Sequence, residues 1–135
     1  MNPFVWKVRV YWEDTDAGGV VYHSRYLNFF ERARSEWLRD LGIHQAKLIR
    51  EDNVLFAIRH LDIDFAQAAR LDDELEITVY KVNAGGVRLT FNQDMTRSSD
   101  QQLVATVKLT AVCLQADSFK PTRMPKWIRA KIGSC

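Results

Sequence analysis

The sequence predicts an α+β domain in which one long helix lies on a curved antiparallel sheet. Three patterns carry that expectation. Apolar residues alternate near the N-terminus, the period then changes to helical spacing, and further alternating runs follow, separated by polar turns. A helix with one apolar stripe must bury it, and a sheet with one apolar face is available to receive it.

The first strand is read from Phe4, Trp6, Val8, Val10 and Trp12, which alternate with Val5, Lys7, Arg9 and Tyr11. A turn-rich stretch, residues 13–19, ends in the pair Gly18-Gly19, which allows backbone conformations that other residues resist. From Ser24 onward Tyr26, Phe29, Phe30, Ala33, Trp37 and Leu41 recur at helical spacing, with Arg25, Asn28, Glu31, Arg32, Ser35, Glu36 and Arg39 on the other face. Ser24 suits the N-cap and Gly42 the C′ position, so the helix should run about 26 Å at roughly 1.5 Å per residue. A weaker helical segment spans Gln45 to Arg50.

The rest reads as strands. Ala57, Leu61, Ile63 and Phe65 alternate with His60, Asp62 and Asp64, although Arg59 interrupts the apolar face. Leu75, Ile77 and Val79 form the next run, and residues 83–86 should connect it as a hairpin to Val87, Leu89, Phe91 and Met95. After a polar turn at residues 97–101, Leu103, Ala105, Val107, Leu109, Ala111 and Cys113 share one face. Val104, Val112 and Leu114 lie opposite them, so part of the sheet is expected to be covered on both sides, as by a second subunit. The tail, Lys120 to Ile132, is basic.

Composition narrows the function classes. The chain has 135 residues, 47% of them hydrophobic, with Lys+Arg 19 against Asp+Glu 17 and a net charge of +2. One domain over residues 1–135 is expected, burying roughly two-thirds of its unfolded surface without staples. So small a positive balance, with no dominant basic stripe, speaks against a nucleic-acid partner. Cys113 and Cys135 form no disulfide framework, no apolar run is long enough to span a membrane, and Lys7 and Arg9 interrupt the N-terminal apolar residues. A cytoplasmic location is therefore expected.

The densest chemistry lies in residues 13–24. Turn formation alone accounts for its aspartates and glycines. A calcium loop starting at Asp14 fails, because its fifth position is Gly18 and its twelfth, which needs a bidentate Glu, is Arg25. His23, His44 and His60 have no zinc-ligand spacing, so no metal is expected. A third reading uses the helix start, whose unpaired N–H groups suit an oxygen gaining negative charge. Asp16 lies one glycine turn from that start, and His23 and Ser24 mark it. With no G-x-S-x-G elbow and no cysteine nearby in sequence, aspartate is the leading candidate for acyl-transfer chemistry.

The run Asp14-Thr15-Asp16-Ala17-Gly18-Gly19-Val20-Val21-Tyr22-His23-Ser24-Arg25-Tyr26-Leu27, with Phe30-Glu31-Arg32-Ala33-Arg34, resembles the signature of the 4-hydroxybenzoyl-CoA thioesterase family of hotdog proteins. More narrowly it resembles the acyl-CoA thioesterases associated with the bacterial Tol-Pal system. Residues 59–65, 69–75 and 121–125 are similar to further family segments. The resemblance implies a hotdog fold, in which a curved antiparallel sheet wraps one long central helix. It implies an acyl-CoA thioesterase acting on short- to medium-chain acyl or aryl thioesters, with Asp16 as nucleophile or general base. His23 matches the position whose backbone N–H binds the thioester carbonyl, and Tyr22 matches a pocket wall. Gly18, Gly19 and Ser24 complete the expected substrate-binding set. No cofactor is implied, coenzyme A being part of the substrate.

Expected partners are further copies of the chain, as dimer or tetramer, and an acyl carrier protein or a cell-envelope complex. Two rival readings stand beside this one. A hotdog dehydratase usually carries a histidine with a Pro-rich segment, and none of Pro3, Pro121 and Pro125 lies near a histidine. The other rival is a noncatalytic acyl-binding or scaffold protein. Glu31 is read as an exposed helix charge paired with Arg34 at i+3, or as a residue facing a second subunit. His60 is read on a sheet face, and Lys120, Arg123, Lys126, Arg129 and Lys131 as a solvated terminal helix or a grip on coenzyme A phosphates.

Overall fold

The computed structural model describes residues 3–133. The strands are β1 (Phe4–Arg9), β2 (Val54–Phe65), β3 (Glu74–Ala84), β4 (Arg88–Arg97) and β5 (Leu103–Gln115). The helices are α1 (Arg25–Asp40), α2 (Gln45–Asp52) and α3 (Lys126–Gly133). The strands form one antiparallel sheet in the order β1-β3-β4-β5-β2. This is the expected α+β architecture, with α1 on the apolar face of the sheet.

α1 buries Tyr26, Phe29, Phe30, Ala33, Trp37 and Leu38, and each such large apolar side chain contributes about 1.5–3 kcal/mol when taken from water. It packs over β1 and β3, against Leu75, Ile77 and Val79, which are buried on alternate positions. Gly42 ends the helix at φ +82°, as a C′ residue should. Ser24 does take the N-cap position, but its backbone is already helical (φ −75°, ψ −18°) and its hydroxyl makes no capping bond. A cap side chain works from extended backbone; here the Arg25 N–H bonds instead to the Tyr22 carbonyl at 2.8 Å.

Four more expectations change. The first strand stops at Arg9, and Trp12 is 75% exposed in a one-turn 3-10 helix, Trp12–Asp14. The chain leaves the sheet there because Val10 turns to bond with the 72–73 segment, donating to Asp73 and accepting from Asp72. β2 begins at Val54 rather than Ala57, and Arg59 falls at a register shift between Ile58 and His60, where a bulge lets Val54, Phe56 and Ile58 share the inner face with Leu61, Ile63 and Phe65, while Ala57, opposite Val112, lies on the outer face. Leu103 leaves the face of Ala105 to Cys113, because a register shift between Met95 and Thr96 sets it opposite Thr96, and it is exposed. Arg34 makes no ion pair with Glu31; it turns inward to Gln93.

Gln93 is the notable polar residue of the core. It is 0% exposed on the helix-facing side of β4, and its Nε2 donates to the Phe30 carbonyl at 3.0 Å. The basic tail does form a helix, but an amphipathic one that buries Ile128 and Ile132. His60 lies on the outer sheet face opposite Thr110. Cys135 lies outside the described residues.

Cys113 has no exposed surface, and burial pushes its thiol up to about 11. The thiolate is the reactive form. Cys113 should therefore resist alkylation in the folded protein at pH 8 and react fully on unfolding, as read by mass spectrometry of the peptide that carries it. The sign of the shift also makes the folded state lose stability as pH rises from the ordinary thiol range toward 11, since only the unfolded thiol ionises there.

Candidate active site

The segment between β1 and α1 folds as a tight loop. Thr15 bridges Val21, the Asp16 N–H bonds to the Val20 carbonyl at 2.9 Å, and the Gly19 N–H bonds to the Asp16 carbonyl at 3.1 Å. The Gly18 N–H donates to Asp16 Oδ1 at 2.8 Å. One carboxylate oxygen is thus fixed by its own turn, the kind of local bond aspartate favours. The other has no protein donor among the described residues, and the side chain is exposed in the single chain.

The two glycines have separate reasons. Gly19 adopts φ +78° with open space around it, so only its backbone conformation demands glycine. Gly18 has no such conformation, but a Cβ there would sit 3.3 Å from Asp16 Oδ1. One glycine shapes the turn and the other leaves room for the carboxylate.

Two clamps hold the loop. Asp14 is buried; its Oδ2 accepts from the Tyr11 N–H at 2.8 Å, and Oδ1 lies 3.6 Å from Arg25 Nε. On the other side the Val21 N–H bonds to the Ala69 carbonyl at 2.8 Å and the Leu71 N–H to the Gly19 carbonyl at 3.2 Å. The 67–73 segment is itself fixed by Arg97, which reaches Asp73 at 3.1 Å and the Ala68 carbonyl at 2.9 Å. Tyr26, in the first turn of α1, accepts from the Ala69 N–H at 3.0 Å. Burial raises the pKa of that phenol, and the bond from the Ala69 N–H offsets part of the rise.

At that start the Tyr22 N–H is used by the Asp14 carbonyl, and the Arg25 N–H by Tyr22. Among the described residues no acceptor meets the N–H of His23 or of Ser24. The Tyr22 and His23 rings lie against one another, 4.4 Å between centroids, both exposed. The loop therefore presents a carboxylate with one free oxygen, and the helix start presents two unpaired amides with the positive end of the dipole behind them. Such a pair can hold a developing oxyanion and supply a nucleophile or base. Sequence reasoning named Asp16, Gly18, Gly19, Tyr22, His23 and Ser24; it missed Asp14, Arg25, Tyr26 and Arg97 as the groups that hold them. The Asp-x-Asp spacing was visible, but which aspartate turns inward is decided by contacts. Among the described residues no cluster of side chains could hold a metal ion.

A five-stranded antiparallel sheet with one long helix packed on its apolar face is the hotdog architecture. The profile of the thioesterase-like superfamily matches residues 10–132, and the chain belongs to that superfamily; it is a thioester hydrolase. An acyl-CoA thioesterase YbgC of Haemophilus influenzae is 44% identical over 129 residues, covering 96% of this chain and 93% of that protein. An acyl-CoA thioester hydrolase YbgC of Escherichia coli is 41% identical over 128 residues, covering 95% and 94%. A probable thioesterase from Bartonella henselae superposes with TM-score 0.84 at 34% identity, covering 92% of this chain and 100% of that one. A 1,4-dihydroxy-2-naphthoyl-CoA thioesterase from Synechocystis shares the fold with TM-score 0.89 at 23% identity, covering 98% and 96%.

The two glycines can be separated by experiment. Gly19→Ala should lower stability by about 1–2 kcal/mol through its left-handed backbone, seen as a lower midpoint in urea. Gly18→Ala should leave the midpoint nearly unchanged and lower turnover by displacing the Asp16 carboxylate.

Proposed function

We propose that this chain hydrolyses acyl-CoA thioesters, of short- to medium-chain acyl or of aryl groups, with Asp16 as the reacting carboxylate. The observations that carry the reading are an Asp16 carboxylate oxygen with no protein donor and, at the end of the same loop, a helix start whose His23 and Ser24 amides have no protein acceptor. The names of the relatives at 41–44% identity support the substrate class.

In this mechanism the thioester carbonyl oxygen accepts from the His23 N–H, and a donor so placed lowers the barrier by about 3 kcal/mol as the oxygen becomes anionic. Asp16 then attacks the carbonyl carbon, the C–S bond breaks, and the thiolate leaves and takes a proton from water. Water hydrolyses the mixed anhydride and regenerates the carboxylate. The same geometry serves a route in which Asp16 deprotonates an attacking water. The imidazole of His23 need not transfer a proton, and Tyr22 and Ser24 border the acyl group. The reaction needs no cofactor.

A second copy of the chain completes the site in this reading. β2 is an edge strand of twelve residues with one side unpaired. Its helix-facing side leaves Ile58 43% and Phe65 50% exposed. A long edge with apolar side chains in view is a surface that pairs with another strand, which supports a dimer, or a tetramer built from dimers. Among the described residues no helix is long and apolar enough to cross a membrane. The reading also takes the enzyme to be cytoplasmic, with an acyl carrier protein or an envelope complex as further partners.

Asp16→Asn should reduce turnover of a panel of acyl-CoA substrates by about three orders of magnitude, read as thiol release. His23→Ala, which keeps the backbone N–H, should retain most activity. Unchanged turnover in Asp16→Asn would refute the assigned role, and a fully active monomer in sedimentation would refute the shared site.

A further inference from the structure

α1 covers β1 and β3 rather than β2, so a groove is left between the helix and the inner face of β2. The two elements run in opposite directions. Tyr26, at the start of α1, meets Phe65 at the end of β2, with ring centroids 5.1 Å apart. At the other end α1 and the early part of β2 border a cavity of about 270 Å³. Ser24, Leu27, Glu31 and Arg34 follow one another at helical spacing along the way, and Leu27 is 39% exposed. The helix rises about 16 Å between His23 and Arg34.

The cavity is apolar on its sheet side, where Phe56, Leu89 and Phe91 lie, and charged on its helix side, where Glu31 and Arg34 lie. A void of about 150 Å³ already admits a benzene ring, so this one has space for a branched or cyclic acyl end. Arg34 is half-buried, and burial pushes its guanidinium below its ordinary range while leaving it cationic. Its Nη1 donates to Gln93 Oε1 at 3.1 Å, and Gln93 is fixed in turn by its bond to the Phe30 carbonyl. Among the described residues Arg34 has no carboxylate within ion-pair distance. Glu31, one turn earlier and exposed, acts on Arg34 only at longer range.

Within the single chain this half-buried fork of five donors, with one used and aromatic rings lining the cavity, has no anionic acceptor. We propose that the cavity at Arg34 receives a carboxylate carried at the far end of the acyl group, making carboxylate-terminated acyl thioesters the preferred substrate class. This rests on the hydrolase reading above for its substrate, but not for the binding of the carboxylate itself. Gln93 is a positioning residue here, since it orients the guanidinium from behind. Glu31 competes with the incoming anion.

Two measurements test this separately. In the first, kcat/KM is compared for dicarboxylic and monocarboxylic acyl-CoA substrates matched in carbon number. The wild type should favour the dicarboxylic member at its best length by about tenfold or more, the scale of one charge-assisted bond. Arg34→Met should lose that ratio while keeping monocarboxylic turnover; Arg34→Lys should keep part of it, and Glu31→Gln should raise it. In the second, free dicarboxylates are titrated while Trp37 fluorescence is followed, because that ring lines the cavity against Phe91 at 5.2 Å; Trp37→Phe identifies the signal. Cooperative thermal unfolding shows which variants are folded, and Arg34→Lys serves if Arg34→Met is not. Absence of any dicarboxylic preference in the wild type, or a preference indifferent to both Arg34 variants, overturns the proposal. Arg34-dependent binding without turnover of any thioester would sink the hydrolase reading and leave the receptor standing.

Discussion

Everything in this molecule follows from the off-centre seat of α1 on its sheet. A helix is about 10 Å across, whereas five strands at about 4.8 Å spacing are roughly twice as wide. One helix cannot cover the sheet, and its aromatic stripe settles over β1 and β3. The start of the helix is thereby brought beside the loop that follows β1, and the inner face of β2 is left open. The candidate site and the groove are two results of one packing decision.

That seat explains why the site loop needs clamps on both sides. The loop has little apolar surface of its own, and its residues 16–18 are exposed. Order comes from Asp14, which ties it to Tyr11 and Arg25, and from the 67–73 segment, which Arg97 holds in place. Asp14 and Asp16 divide the work by burial: the inner carboxylate is consumed in structure, and the outer one keeps an oxygen free. The polar bonds that hold the loop lie at the sheet's end, so the aromatic core is not interrupted there.

Gln93 and Arg34 do interrupt it, on the other flank. A fully buried amide among Leu89, Phe91 and Met95 lowers the apolar area available to the core and must satisfy both ends of its side chain. It does so by joining the Phe30 carbonyl to the Arg34 guanidinium. A leucine would have packed there without such bonds. The polar pair is better explained by what it presents to the cavity than by stability.

The sequence alone determined the elements whose periodicity is long and clean: α1, the hairpins from β3 to β5, and the use of one apolar sheet face. It also marked the loop between Glu13 and Ser24, through aspartates, glycines and a family resemblance that no period could supply. It misread Trp12, because alternation does not reveal where a strand leaves its sheet; it placed Ser24 at the N-cap, but a residue type does not reveal the backbone angles that keep its hydroxyl from capping. Tertiary structure decided which of two neighbouring aspartates is buried, which glycine is needed for conformation and which for space, and that Arg34 faces inward to Gln93 rather than outward to Glu31. Those outcomes depend on contacts between residues up to 59 positions apart, and no local pattern encodes which distant partner a side chain will meet.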